Sequence, residues 1–543
     1  MYLSVIKCGF CLLTFLLLNN VDAQNVSLVL NNTLTWGNKE LYGGYIKIMP
    51  NSTLQVDCIN ENNNISYIVF QVHSHLYNIT LYNTTNIRGS SVSGTNVGLY
   101  SSVLPAIETF FIINQNFVSL WLYISVHGYS VEDPIPGGCN MEFPVPISPY
   151  LQTKYNKDYI LVDATPAKGQ LDNKCNTIDN VVLLFYKMYL PERDFGAEVY
   201  FEGIKNMMTV DNIQEYGEFI PDNGLHNRRM LSAYPGVGSI YVAVAISVQN
   251  ASAYSVYVPT YTYACQPLDE GDCEVFDDPL SQLLLASILF IGLFVCYYGH
   301  RFFKTEMFLI GLISGGVVTY ILISLMADLE TPALLGVSIL SGMCFGAIWL
   351  LFWWFYGIPL LAVFLATLNV GFLFSAIIYY GLPGGLMALQ NDINFWTLFI
   401  FIMLTTSLLL VSMTLLSNIL CCAILGAYTV VYSMDYYLGS SVKYIMINTV
   451  RRATVPKFNK AVLAPPFEWK DSLMYLLWVG LAISGFLFQH FHNYGRPPFP
   501  PPPRSVRPLP RSMYDATPYT TGRYPRIISR NPQNPSERSP LLG

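Results

Sequence analysis

The sequence predicts a multidomain membrane protein with two parts. A β-rich, tandem β-sandwich-like region lies outside the cell or in a lumen, and an all-α seven-helix transmembrane bundle follows it. Three observations predict this. First, only 12% of the 543 residues are charged and 52% are hydrophobic, against about 25% charged in soluble domains. Second, the uncharged residues are clustered. No Asp, Glu, Lys or Arg occurs in the 61 residues between Glu330 and Asp392, or in the 42 between Asp392 and Asp435. Third, the first half carries short runs of β-branched and aromatic residues, punctuated by Asn, Gly and Pro. This composition excludes an ordinary cytosolic enzyme and a disordered chain.

The chain reads as five regions. Residues 1–23 form a secretory signal: Lys7, an apolar run from Cys8 to Leu18, and Val21 and Ala23 before a cleavage point at Gln24. Residues 24–148 and 149–278 are two β-sandwich-like domains meeting near Ser148, since 255 residues is long for one sandwich. Residues 279–490 hold the helices, and 491–543 are a disordered Pro/Arg-rich cytoplasmic tail. Charge separates the ends: residues 24–278 carry 25 acidic and 12 basic residues, a net of −13, whereas 491–543 carry eight Arg and two acids, a net of +6.

Seven Asn-x-Ser/Thr acceptors support an outer location for the β-rich part: Asn25, Asn31, Asn51, Asn64, Asn78, Asn83 and Asn250. An oxidising compartment also favours pairing of its five cysteines. Cys265 and Cys273 are close enough to close a small loop before the first span, and Cys139 with Cys175 would tie the two halves together. Spacing leaves the connectivity open, and Cys58 is the candidate free thiol. Strands are expected within 66–81, 110–126, 181–189 and 239–248, and a short helix over 197–208.

The apolar segments fall at roughly 279–299, 307–326, 334–355, 358–380, 396–416, 417–438 and 472–490. Each is near the 20 residues needed to cross a bilayer, and aromatic residues such as Tyr297, Trp353, Tyr380 and Trp396 mark their ends. His300, Arg301 and Lys304 place the first loop in the cytosol. The 439–471 loop breaks this pattern. It holds Lys443, Arg451, Arg452, Lys457, Lys460 and Lys470, yet seven spans put it outside. Residues 441–455 read either as an amphipathic helix on the membrane surface or as a solvated basic loop.

The sequence points to no catalytic, cofactor or metal residues, and to no nucleic-acid partner. Spans two to five carry no charge, which argues against a proton-coupled transporter or voltage sensor. Asp435 lies where it can reach water, and Asn369 and Asn418 read as packing amides. The seven His show no ligand spacing; His73 and His75 share one strand face without a third ligand. Span three ends Trp353-Trp354-Phe355-Tyr356, not the Asp/Glu-Arg-Tyr of rhodopsin-like receptors. Gly311 with Gly315, and Gly342 with Gly346, permit close helix approach, read as packing within the chain, with dimerisation as the alternative. In the tail, Glu537, Leu541 and Leu542 form an acidic dileucine pattern, and Tyr524 with Ile527 a tyrosine-based one; both imply clathrin-adaptor binding and a plasma-membrane or endosome–lysosome location.

Asp133-Pro-Ile-Pro-Gly-Gly-Cys-Asn-Met-Glu-Phe143, His300-Arg-Phe-Phe-Lys-Thr-Glu306, Thr262-Tyr-Ala-Cys265 and the Pro-Leu-Leu ending resemble the transmembrane 7 superfamily member 3 family. The chain departs from it at Cys58 and in most of the tail. The resemblance implies a non-enzymatic, receptor-like or scaffold glycoprotein that promotes cell survival and attenuates endoplasmic-reticulum stress and the unfolded-protein response. It supplies no ligand, cofactor or catalytic residue, and leaves an extracellular ligand or partner protein unnamed. The alternative is a transporter or channel for a lipid-like or uncharged substrate.

Overall fold

The computed structural model describes residues 23–30, 35–59, 65–83, 91–102, 107–169, 175, 181–269, 272–273, 279–327, 329–382, 386–497 and 499–500. The signal segment before Ala23, the acceptors Asn31 and Asn64, and the tail motifs at Tyr524, Ile527, Glu537, Leu541 and Leu542 lie outside them. Two compact units emerge. One comprises Met1–Phe290, Leu373–Ile402 and Thr429–Leu477; the other comprises Ile291–Phe372, Met403–Tyr428 and Trp478–Gly543.

The first unit begins with a two-sheet sandwich. One sheet has the order β1-β3-β8-β5-β6: β1 (Ala23–Val29), β3 (Ser52–Ile59), β5 (Ile79–Asn83), β6 (Val92–Gly94) and β8 (Ile107–Asn114). The other has the order β2-β9-β4-β7: β2 (Glu40–Ile48), β4 (Tyr67–Ser74), β7 (Asn96–Ser102) and β9 (Leu120–Tyr129). Strand β3 shows how the sequence makes this. Its period-two pattern turns Leu54, Val56 and Cys58 inward while alternate residues stay half-exposed. Phe70 stacks on Phe110 across the core with centroids 4.2 Å apart.

Strands β4 and β9 are buried on both faces. Leu122, Ile124 and Val126 fill the sandwich core. The opposite face carries Gln71, His73, Ser125 and His127, all buried. It is covered by the next domain through α1 (Ala197–Asn206), where the sequence expects a helix. Tyr200 Oη on α1 donates to Asn96 Oδ1 at 2.7 Å, and Asn96 Oδ1 lies 2.6 Å from His73 Nδ1.

The second domain contains a sheet β10-β11-β14: β10 (Gln152–Tyr155), β11 (Tyr159–Asp163) and β14 (Arg228–Ser232). Its other sheet, β13-β12-β15-β16, uses β12 (Val181–Tyr189), β13 (Glu218–Ile220), β15 (Ser239–Ser247) and β16 (Tyr254–Val256), with β17 (Thr260–Thr262) also on β15. A short helix α2 (Val210–Tyr216) follows α1 and is capped by Thr209, whose hydroxyl accepts from Asn212 N.

The remaining α-helices longer than four residues are α3 (Pro279–Tyr298), α4 (Phe303–Met326), α5 (Thr331–Tyr356), α6 (Pro359–Gly381), α7 (Asp392–Val411), α8 (Thr414–Leu438), α9 (Tyr444–Thr454) and α10 (Trp469–His492). Among the described residues, six stretches are long and apolar enough to cross a membrane, where the sequence suggests seven. The difference lies at the start. The segments expected at 279–299 and 307–326 fall on one helical run, Gln282–Met326, of 45 residues. A 3₁₀ turn, Gly299–Phe302, interrupts it without ending it.

In the second unit, α4 and α5 meet through the four glycines. A Cβ on Gly311 would sit 2.7 Å from Gly346 Cα, one on Gly315 2.5 Å from Phe345 Cβ, one on Gly342 2.5 Å from the Leu312 carbonyl oxygen, and one on Gly346 2.6 Å from that of Phe308. These contacts are within the chain, so the faces that would serve a dimer are occupied. Gly346→Val forces the helices apart and costs about 3 kcal/mol. Gly336→Ala, with nothing within 4 Å of its position, leaves stability unchanged. Thermal unfolding of the two variants in detergent checks this, and equal melting temperatures would refute the close-packing account.

Candidate functional site

The basic 439–471 loop is neither solvated nor laid on a membrane surface. In the first unit it is docked on the second β-domain, mostly through burial of apolar side chains. Phe458 and Leu463 cluster with Met230. Val462 joins the domain's own core beside Val162, Phe185 and Tyr241. Tyr444 packs edge-on against Tyr234 with centroids 4.7 Å apart. The backbone takes part as well: Val462 N donates to the Met230 carbonyl at 2.8 Å and Ser232 N to the Val462 carbonyl at 3.2 Å. A single parallel bridge thus covers the edge of β14, whose unpaired groups would otherwise be open.

Polar contacts fix the register. Arg451, 7% exposed, pairs with Asp158 at 3.1 Å and donates to the Ala233 carbonyl at 2.8 Å, to Ser232 Oγ at 3.3 Å and to the Lys157 carbonyl. Lys187, from β12, reaches Glu218 at 3.0 Å and donates to the Ala464 carbonyl at 3.0 Å. Desolvation lowers its pKa, partly offset by Glu218. Glu192 N donates to Glu468 Oε1 at 2.9 Å. Asp435 does not reach water. It is fully buried at the end of α8 and accepts from Ser440 N at 2.6 Å and Lys443 N at 2.7 Å, so it caps the turn leading into α9. The expected membrane-surface helix is therefore α9, with Tyr444, Ile445, Asn448 and Arg451 turned into protein. Its amphipathic pattern is real, but its apolar face meets the β-domain instead of lipid.

The second unit holds a separate polar cluster that the sequence reading passed over. Glu306 stands one residue before the expected second span, but α4 begins at Phe303 and buries it to 2% exposure. The expectation of uncharged spans is corrected here. Asn418 Nδ2 donates to Glu306 Oε2 at 2.9 Å and lies 3.1 Å from His300 Nδ1. Since an amide nitrogen only donates, His300 must accept there and carry its hydrogen on Nε2. His300 N in turn donates to Gln489 Oε1 at 3.1 Å, and Gln489 Nε2 to the Cys296 carbonyl at 2.7 Å. Asn418 is thus the link between two ends of the His300–Glu306 motif, and Asn369 donates to Ser314 Oγ at 2.8 Å. The available signal for Glu306 was the motif itself; charge alone assigned it to a loop.

Of the other sites, Asn25, Asn51, Asn78 and Asn250 are exposed, while Asn83 is half-buried and donates to Glu108. Cys139 is bonded to Cys175 and Cys265 to Cys273. Cys58 is a free thiol, 1% exposed, pushed up to about 12 by desolvation with Glu108 and Asp57 adding to it. His73, also buried, bonds to Asn96 and Gln71 and faces no acidic ligand set.

Comparison with known proteins follows this division. Residues 38–129 match a TM7SF3-like, N-terminal immunoglobulin-like domain, residues 134–268 a TM7SF3-like, second immunoglobulin-like domain, and residues 285–490 a TM7S3/TM198-like domain. Both Cys139 and Cys175 fall inside 134–268, so their bond closes a loop of the second domain and does not tie the halves together. Transmembrane 7 superfamily member 3 of Homo sapiens is 29% identical over 513 residues, covering 89% of this chain and 90% of the relative. That of Rattus norvegicus is 30% identical over 460 residues, covering 81% of each. With three domain matches in the same order and relatives aligned over most of their length, the chain belongs to the transmembrane 7 superfamily member 3 family.

Proposed function

We propose that the chain is a non-enzymatic, receptor-like glycoprotein scaffold that crosses the membrane seven times and promotes survival by damping endoplasmic-reticulum stress. The observation that carries the scaffold reading is the docked 439–468 segment. It fastens the second immunoglobulin-like domain to the ends of α8 and α10, so a ligand or partner on the outer domain acts on the helices without a flexible linker. Family membership supports the survival role.

The same contact supports seven crossings. The loop and the β-domain touch, so they share one side of the membrane, and an even number of crossings separates Pro279 from Gly439. Four runs lie between Pro332 and Leu438. On this reading the 45-residue run before them crosses twice. At 1.5 Å per residue it spans about 68 Å, twice a hydrocarbon core of about 30 Å. The 3₁₀ turn bearing His300 and Arg301 is the place to reverse. With α10 the total is seven, which agrees with a cytosolic tail and with the exposed acceptors Asn25, Asn51, Asn78 and Asn250 on the lumenal side. The basic loop no longer offends the positive-inside rule, because its arginines are paired with protein.

The test uses cells lacking their own family member, treated with a glycosylation inhibitor to raise stress. The full chain, tagged after Gly543, should lower an unfolded-protein-response reporter and raise survival. Arg451→Ala should lose both effects while reaching the same membrane. No effect of the parent chain would overturn the survival role. A variant as active as the parent would overturn the coupling.

A further inference from the structure

Beside the docked loop, in the same unit, is a small open cleft with a polar end and an apolar rim. Its polar end is made by Arg452 on α9, Lys460 and Asn223; Leu382, Leu389 and Leu463 line the rest. Two polar atoms of this lining are buried without a hydrogen-bond partner, Arg452 Nε and Asn223 Oδ1. Both residues are nine-tenths or more buried, at 7% and 1% exposure. Arg452 Nη2 is committed: it pairs with Asp392 at 2.7 Å and donates to the Leu389 carbonyl at 3.2 Å. Asn223 Nδ2 donates to the Lys460 carbonyl. The buried groups left without a partner are one cationic donor, Arg452 Nε, and one neutral acceptor, Asn223 Oδ1, with Lys460 in the same lining.

A buried unpaired donor and acceptor cost free energy unless a ligand satisfies them. The pair calls for a ligand that both accepts from a guanidinium N–H and donates to an amide oxygen. A phosphate beside a free hydroxyl does this. The free volume, ≈ 60 Å³, holds a few waters or one phosphate-sized group, since a water takes roughly 10–15 Å³ by this measure. Acyl chains must therefore lie outside. The rim provides for them: Leu386 in the lining is 44% exposed and Met387, next in sequence, 69%, in the connection that follows α6, which we read as a span. A free phosphate has no use for that rim.

We propose that this cleft binds an anionic phospholipid whose headgroup carries a free hydroxyl, with the phosphate on Arg452 and Lys460 and the hydroxyl on Asn223. The site depends on α6 being a span, not on which side of the membrane its end faces.

The full chain would be placed in nanodiscs of phosphatidylcholine with equal small fractions of phosphatidylinositol, phosphatidylglycerol and phosphatidic acid, and its retained lipid measured by mass spectrometry. Phosphatidylinositol or phosphatidylglycerol should be enriched tenfold or more over phosphatidylcholine and severalfold over phosphatidic acid. Arg452→Lys keeps the charge on Asp392 but removes the Nε donor, and should lower the enrichment at least threefold. Asn223→Leu should abolish the preference over phosphatidic acid, and Lys460→Gln should weaken all anionic lipids. Thermal unfolding of each variant separates lost binding from lost folding; if one fails to fold, half-buried Lys460 supplies the deciding comparison. Displacement by soluble glycerol phosphate at equal potency would move the source to a free phosphate ester and overturn the lipid assignment. Parent chain retaining phosphatidylcholine in proportion, or variants indistinguishable from it, would leave only water in the cleft and overturn the site.

Discussion

Arg451→Ala releases the 439–468 segment from the second immunoglobulin-like domain and destabilises that contact by about 3 kcal/mol. The figure follows from what is stranded. The guanidinium serves Asp158, the Ala233 and Lys157 carbonyls and Ser232 at once. Removing a buried charged partner costs about 3–5 kcal/mol. Asp158 is 43% exposed at its side chain and rehydrates, which holds the cost to the lower end. Asp158→Ala should therefore cost less, about 1 kcal/mol, because Arg451 keeps its other acceptors. Limited proteolysis of intact protein in detergent reads the effect. Cleavage after Lys457 or Lys460 should accelerate about a hundredfold in Arg451→Ala and only a few-fold in Asp158→Ala. Equal rates for the two would mean that the apolar residues Phe458, Val462 and Leu463 hold the segment by themselves.

Acid should loosen the joint between the two immunoglobulin-like domains. His73 and His127 are 0% and 1% exposed on the face of β4 and β9 that meets α1. Burial lowers each to about 4 from 6.5; for His73, the Asn96 bond opposes the shift and His127 adds to it. His127 Nδ1 accepts from Gln71 Nε2 at 3.3 Å, so its hydrogen sits on Nε2, and a second proton would go to Nδ1 and break the Gln71 bond. In the unfolded chain each histidine takes a proton near pH 6.5, whereas in the folded domain it resists until about pH 4. The unfolded state binds more protons in that window, so stability is complete above pH 6.5 and falls as pH drops toward 4. At pH 5 the loss is about 2 kcal/mol per histidine, or about 4 kcal/mol for both. Melting of intact protein, followed by tyrosine and tryptophan fluorescence, should fall markedly between pH 7 and pH 5. His73→Asn with His127→Gln should flatten that slope even if it lowers the plateau. A double variant with the parent's slope would place the acid sensitivity elsewhere. A protein sorted to acidic compartments would meet this window in use.

Much of this was legible in the chain because it depends on local periodicity. Alternation in Ser52–Ile59 specifies a half-buried strand, the short apolar run Val181–Tyr189 another strand, and 20-residue uncharged runs specify helices that can cross a membrane. The glycines of α4 and α5 announce close packing because only a missing side chain permits it. The Cys265–Cys273 bond follows the same logic of short range.

Other features turn on which segments meet, and periodicity carries no such information. The pattern of α9 fits lipid and protein equally, so only the tertiary fold shows Tyr444 against Tyr234 and Arg451 against Asp158, nearly 300 residues away in sequence. Glu306 stands just before the expected second span, and its burial rests on a bond from Asn418, more than 100 residues away in sequence. The segment count differs because the polar gap at His300, Arg301 and Lys304, which reads as a loop in the sequence, is a 3₁₀ turn within one helical run in the structure. The sequence by itself determined the elements and their order, since propensity and hydrophobic spacing act over a few residues. The tertiary structure decided the docked loop, the histidine joint, the Glu306 cluster and the basic cleft, since each assembles from residues whose pairing free energy exists only once the chain has brought them together.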